Sequence, residues 1–86
     1  MRKLIFAEKA WKEYLYWQEN DKKTLKRINI LLKDIVRNGN DGIGKSENLR
    51  HRKGWSRRID SVNRIVYVLT DTDSVEILQC KGHYDD

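Results

Sequence analysis

Eighty-six residues with 38% hydrophobic and 36% charged side chains make one small domain, which buries only about 60% of the surface its unfolded chain exposes. The single cysteine, Cys80, excludes an intrachain disulfide and fits a reducing cytoplasm. No apolar run nears the roughly 20 residues of a membrane span, and the apolar start is too short for a signal peptide. The net charge of +5 is uneven: seven Lys/Arg stand between Lys45 and Arg64 against Glu47 and Asp60, while beyond Arg64 only Lys81 faces five acids. An electropositive middle suits a polyanion such as RNA; a solvated basic face or an acidic protein partner fits the charge alone equally well.

In chain order, Lys3 to Phe6 reads as a short strand. A helical pattern follows from about Ala7 to Glu19, with Trp11, Tyr14 and Trp17 near its turns and Ala7 as a poor N-cap. Asn20-Asp21 breaks the chain, and either residue can cap a second helix. Leu25, Ile28, Leu32, Ile35 and Val36 then give the spacing of a buried stripe, and Asn38-Gly39 ends it. Tyr16 and the three aromatics of the first helix read as core and helix-pair residues. After a loop with Gly42 and Gly44 the period changes to two. A short strand is expected around Asn48 to His51, then strands at Trp55 to Ile59, Arg64 to Thr70 and Ser74 to Lys81, joined by the turns Asp60 to Asn63 and Asp71 to Asp73. The result is an α+β domain: a short N-terminal strand, an antiparallel helix pair, then a mainly antiparallel twisted sheet of about four further strands.

Glu47, Arg64 and His83 offer a base, a cation and an acid, the parts needed to cleave RNA through its own 2′-hydroxyl. If Thr70 faces Val75 across the last hairpin, Arg64 lies opposite Lys81. His83 is then one diagonal step away, within roughly 7–8 Å between Cα atoms. The preceding turn brings Arg57 or Arg58 to that face, with Arg58 favoured, and Glu47 has no derivable register. Each residue also has a structural reading: a surface ion pair for Glu47, a strand anchor for Arg64, an exposed terminal imidazole for His83. Lys45, Arg50, His51, Arg52, Lys53, Arg57 and Lys81 are candidate RNA or ribosome contacts. Two histidines and one cysteine give no expectation of a metal site or other cofactor.

The motifs Tyr14-Leu-Tyr-Trp-Gln, Gly44-Lys-Ser-Glu-Asn-Leu49, Trp55-Ser-Arg-Arg-Ile59, Arg64-Ile-Val-Tyr67 and His83-Tyr84 together resemble the YoeB toxins, a RelE-like family of toxin–antitoxin toxins, along nearly the whole chain. The resemblance implies a microbial-ribonuclease-like fold and a ribosome-dependent endoribonuclease that cuts mRNA in the A site. It implies Glu47 as base, Arg64 on the scissile phosphate with help from Arg58, His83 as acid and Tyr84 shaping the site. It also implies a YefM-like antitoxin, contact with the 70S ribosome and mRNA, a homodimer, and operator DNA reached only through the antitoxin complex.

Three departures stand out. Ser46 takes the place of the family's proline before the glutamate, the segment from His51 to Trp55 is short, and Asp85-Asp86 set two carboxylates beside the imidazole and in the path of RNA. Two rivals are a non-catalytic toxin of the same fold that binds gyrase, as in the ParE group, and a plain RNA-binding module.

Overall fold

One residue separates the two helices, and its chemistry explains the break. Asp21 lies between α1 (Glu8–Asn20) and α2 (Lys22–Asn38) in a computed structural model that describes residues 1–83. Its carboxylate accepts from the Thr24 N–H at 3.0 Å and the Thr24 hydroxyl at 2.8 Å, satisfying donors that a helix start leaves open. The Thr24 N–H, above all other causes, holds the Asp21 carboxyl below its ordinary range. Ala7, by contrast, caps α1 with no side-chain bond, as its chemistry predicts.

Along α2 the stripe Ile28, Leu31, Leu32 and Ile35 is buried, and Gly39, at φ 65°, ends the helix with its N–H on the Ile35 carbonyl. From α1 only Ala10 and Trp17 are fully buried. Tyr14 joins the helices through a 2.8 Å bond from its hydroxyl to Asn29 Oδ1. Trp11 and Tyr16 depart from the expected core role: they are 48% and 45% exposed.

Five strands form one sheet in the order β1-β5-β4-β3-β2. They are β1 (Lys3–Phe6), β2 (Glu47–Asn48), β3 (Trp55–Arg58), β4 (Arg64–Leu69) and β5 (Ser74–Gln79). Only the β1–β5 pair is parallel. Ile65, Tyr67, Val75 and Ile77 point to the face covered by the helices and form the core with Trp17, Ile28, Leu31 and Ile35. Period-two alternation therefore sends Arg64 and Val66 to the opposite face. Val66 and Leu49 are buried outside that helix-facing core.

Two details differ from expectation. The short strand is Glu47–Asn48 and not Asn48 to His51. In the last hairpin Leu69, not Thr70, faces Val75, and an irregularity between Val66 and Tyr67 then sets Val66 opposite Gln79. Asp73, at φ 58°, closes a three-residue loop in the left-handed conformation that such loops use, which explains the first shift. The bulge adds one residue to β5 and reverses the shift at the far end.

Candidate active site on the open face of the sheet

Strand pairing assembles the site row by row. Glu47 pairs with Ser56, and Ser56 with Val66. Two residues along on the same face, Arg58 pairs with Arg64. Beyond Arg64 the chain passes at Gly82, whose carbonyl accepts from the Arg64 N–H at 3.1 Å; His83 follows directly. Glu47, Arg58 and Arg64 thus share the face turned away from the helices. Strands about 4.8 Å apart and about 6.7 Å per residue pair put the Glu47 and Arg64 Cα atoms roughly 12 Å apart. Among the described residues, the buried Nε of Arg58 has no hydrogen-bond partner.

The loop that delivers Glu47 is pinned beneath. The Gly44 carbonyl accepts from the Arg58 N–H at 2.6 Å, and both Gly44 (φ 82°) and Lys45 (φ 50°) are left-handed. A Cβ on Gly44 would stand 2.8 Å from Leu31 Cδ2 and 3.2 Å from the Arg58 carbonyl. Gly44→Ala is therefore expected to cost about 1–3 kcal/mol, read as a lower urea midpoint with unchanged slope; an unchanged midpoint would show that the loop relaxes freely.

One expected contact and one expected placement are corrected. Arg57 faces the core and is 0% exposed, so it does not reach RNA. Its guanidinium pairs with Asp34 and donates to Tyr67 Oη at 3.1 Å and to the Ile43 and Gly39 carbonyls at 2.7 and 2.6 Å. Consecutive strand residues point to opposite faces, so Arg58 on the open face sends Arg57 inward. Lys81 also leaves the Arg64 face, because β5 ends at Gln79; its ammonium sits 4.7 Å from the centre of the Tyr16 ring on α1, a cation–π contact. Arg50, His51, Arg52 and Lys53 are exposed at a tip closed by the Leu49 N–H on the Gly54 carbonyl, and Lys45 is exposed at the other end of β2, beside Gly44. Tyr84, and with it Asp85-Asp86, lies outside the described residues.

The chain before His83 is held by partners that no motif reveals. Trp17 Nε1 donates to the Cys80 carbonyl at 2.9 Å, and Glu13 accepts from the Cys80 N–H at 2.8 Å. Asn63 Oδ1 accepts from the Gly82 N–H at 2.7 Å. Asn63 is itself set by Asp60, which takes the Val62 and Asn63 N–H groups. Burial, then the charge of Glu13, pushes the Cys80 thiol up to about 12, so it is an inert core thiol and no nucleophile. Among the described residues no group of three or more His, Cys, Asp or Glu is placed to hold a metal ion, and no helix is long and apolar enough to cross a membrane.

Two helices on one face of a five-stranded mixed sheet are the architecture of the RelE-like toxin folds. Residues 6–84 match the model of the YoeB-like toxins of bacterial type II toxin–antitoxin systems. Toxin YoeB of Escherichia coli K12 is 50% identical over 84 residues, covering 95% of this chain and 99% of that protein. The YoeB dimer from Staphylococcus aureus superposes with a TM-score of 0.87 at 45% identity, covering 96% and 98% of the two chains. The YoeB–YefM complex from the same organism gives 0.87 at 42% identity, covering 98% and 99%. The chain belongs to the YoeB-like toxins of type II toxin–antitoxin systems.

Proposed function

We infer that this toxin is a ribosome-dependent endoribonuclease that cuts mRNA in the A site without a metal. The observation that carries the reading is the juxtaposition of Glu47, Arg58, Arg64 and the chain entering His83 on adjacent rows of one open face. Glu47 takes the proton of the ribose 2′-hydroxyl, whose oxygen attacks the adjacent phosphorus. Arg64, assisted by Arg58, holds the non-bridging oxygens as charge gathers there. His83 gives a proton to the departing 5′-oxygen, and Tyr84 shapes the leaving-group side. The products are a 2′,3′-cyclic phosphate, or the 3′-phosphate it opens to, and a 5′-hydroxyl. Lys45, Arg50, His51, Arg52 and Lys53 bind the polyanion around this centre.

The relatives indicate the partners. YoeB of Staphylococcus aureus is a dimer in one structure and is bound to YefM in another. By that likeness this chain pairs with itself and with a YefM-like antitoxin; we further propose that it works in the cytoplasm and meets operator DNA only through the antitoxin complex.

The test maps 5′ ends on one defined mRNA in a purified translation system, with and without ribosomes, for the toxin and for His83→Gln. Discrete cuts at A-site codons, dependent on ribosomes and lost in the variant, are expected. Full cutting by His83→Gln would remove His83 as the acid. Inhibition without any cut would leave a toxin that acts by contact, to be tried against gyrase.

A further inference from the structure

We propose that Gln79 is a positioning residue: its side-chain amide fixes the segment that carries His83. Gln79 is 6% exposed and lies opposite Val66 on the open face of the sheet. Its Nε2 stands 3.0 Å from the Lys81 carbonyl, 3.3 Å from that of Gly82 and 2.7 Å from that of His83. Three successive carbonyls converge on one nitrogen. The opposite amide orientation would set Oε1 against three oxygens, so the surroundings fix Nε2 as the inward atom. A chain in extended conformation cannot turn consecutive carbonyls to one point. Gly82, at φ 81°, supplies the left-handed residue that folds them inward, and a Cβ there would meet nothing within 4 Å. Backbone conformation, not space, is what Gly82 provides.

The anchors already described end at Gly82, where Asn63 and the Arg64 N–H hold the N–H and the carbonyl. Among the described residues, only the Gln79 amide reaches His83 itself. The residue that must meet the leaving oxygen comes after the last strand, where no ladder fixes it. A donor planted in that strand does the work of the ladder. Misplacement by about 1 Å costs on the order of 10²-fold in a reaction that depends on alignment.

This inference rests on His83 being the acid, and its test separates the two. Gln79→Met keeps the length and apolar stem and removes the donor; Gln79→Glu turns a carboxylate on the same carbonyls. Backbone 15N relaxation of the free toxin is measured beside single-codon cutting kinetics. In both variants the heteronuclear NOE of the Gly82 and His83 amides is expected to fall while those of β4 and β5 stay unchanged. For cutting, kcat is expected to fall about 10–100-fold with KM within about twofold. A general loss of folding would lower the active fraction and move all amides together while leaving KM unchanged, so kcat is referred to the folded fraction. Unchanged NOE values in both variants overturn the clamp, and lowered NOE values with unchanged kcat overturn its positioning role. Full cutting by His83→Gln would instead sink the acid assignment, and the relaxation data would still decide whether Gln79 orders the segment.

Discussion

Arg57→Met is expected to lower the unfolding free energy by about 3–5 kcal/mol, because it strands the Asp34 carboxylate in a largely closed site. At roughly 4–8 °C per kcal/mol for a domain of this size, the melting temperature falls by at least about 12 °C. The guanidinium is fully buried and Asp34 is 14% exposed. Its loss also leaves the Tyr67 hydroxyl and the Gly39 and Ile43 carbonyls without this donor. Removing both charges, in Arg57→Met with Asp34→Leu, is expected to destabilise less than Arg57→Met alone. Recovery stays partial, since Asp34 also accepts from the Asn38 amide and the Ile43 N–H.

The sign of the pH dependence is set by the same pair. Desolvation pushes the Asp34 carboxyl up, but the hydrogen bonds from Arg57, Asn38 and Ile43 outweigh it and hold the group below its ordinary 3.8. A carboxylate lowered on folding contributes stability that is complete above the unfolded value and lost as pH falls through the folded one. Without Arg57, desolvation has less to oppose it. The gap in unfolding free energy between the parent and Arg57→Met should therefore be widest near pH 6 and narrow towards pH 3. Urea titrations at the two pH values check this; a constant gap would show that Asp34 draws little from the arginine.

The same arginine marks where the sequence stops being legible. Helices, strands and their order follow from periodicity, since Ile28, Leu32 and Ile35 announce a buried helix stripe and Arg64 to Leu69 a strand. That Trp-Ser-Arg-Arg is a strand was legible too, and alternation requires its two arginines to part. Which one turns inward depends on Asp34, 23 residues earlier on α2, a pairing no local pattern carries. An aspartate between Lys33 and Ile35 on a basic helix was the available signal.

For the last hairpin the sequence predicts one register throughout. The left-handed Asp73 moves the near end by one residue, and the bulge moves the far end back. The two shifts cancel at Val66, which faces Gln79 as a symmetric hairpin requires, but two residues on the Arg64 N–H meets the Gly82 carbonyl and not Lys81. Lys81 departs from its expected place because β5 ends at Gln79, and strand alternation does not extend beyond it. Asn63 and Gln79 carry no chemistry that a motif search would seek. Their role comes only from carbonyls and N–H groups that the fold turns towards them.

The second large effect is on chemistry. If Arg64 holds the non-bridging oxygens, Arg64→Ala should lower kcat by about 10²–10³-fold, the range for losing one donor aimed at developing charge. Arg64→Lys should recover part of it, since an ammonium restores the charge without the two-pronged fork. Arg58, half-buried and directly opposite, should cost less when replaced by alanine. The informative quantity is the double variant. Two cations on one phosphate share one task, so Arg58→Ala with Arg64→Ala should lose less than the product of the separate losses. Strict multiplicativity would assign Arg58 to a different phosphate, and make the Arg58–Arg64 pair a track along the RNA backbone. The unfolding midpoint of each variant is measured alongside, because the Asp60 carboxyl is held down against desolvation by hydrogen bonds from Asn63 and Val62 and, after them, by the charge of Arg64, and Asp60 sets the turn that positions Asn63. A loss in kcat at unchanged midpoint then belongs to the transition state. A loss that follows the midpoint belongs to the turn.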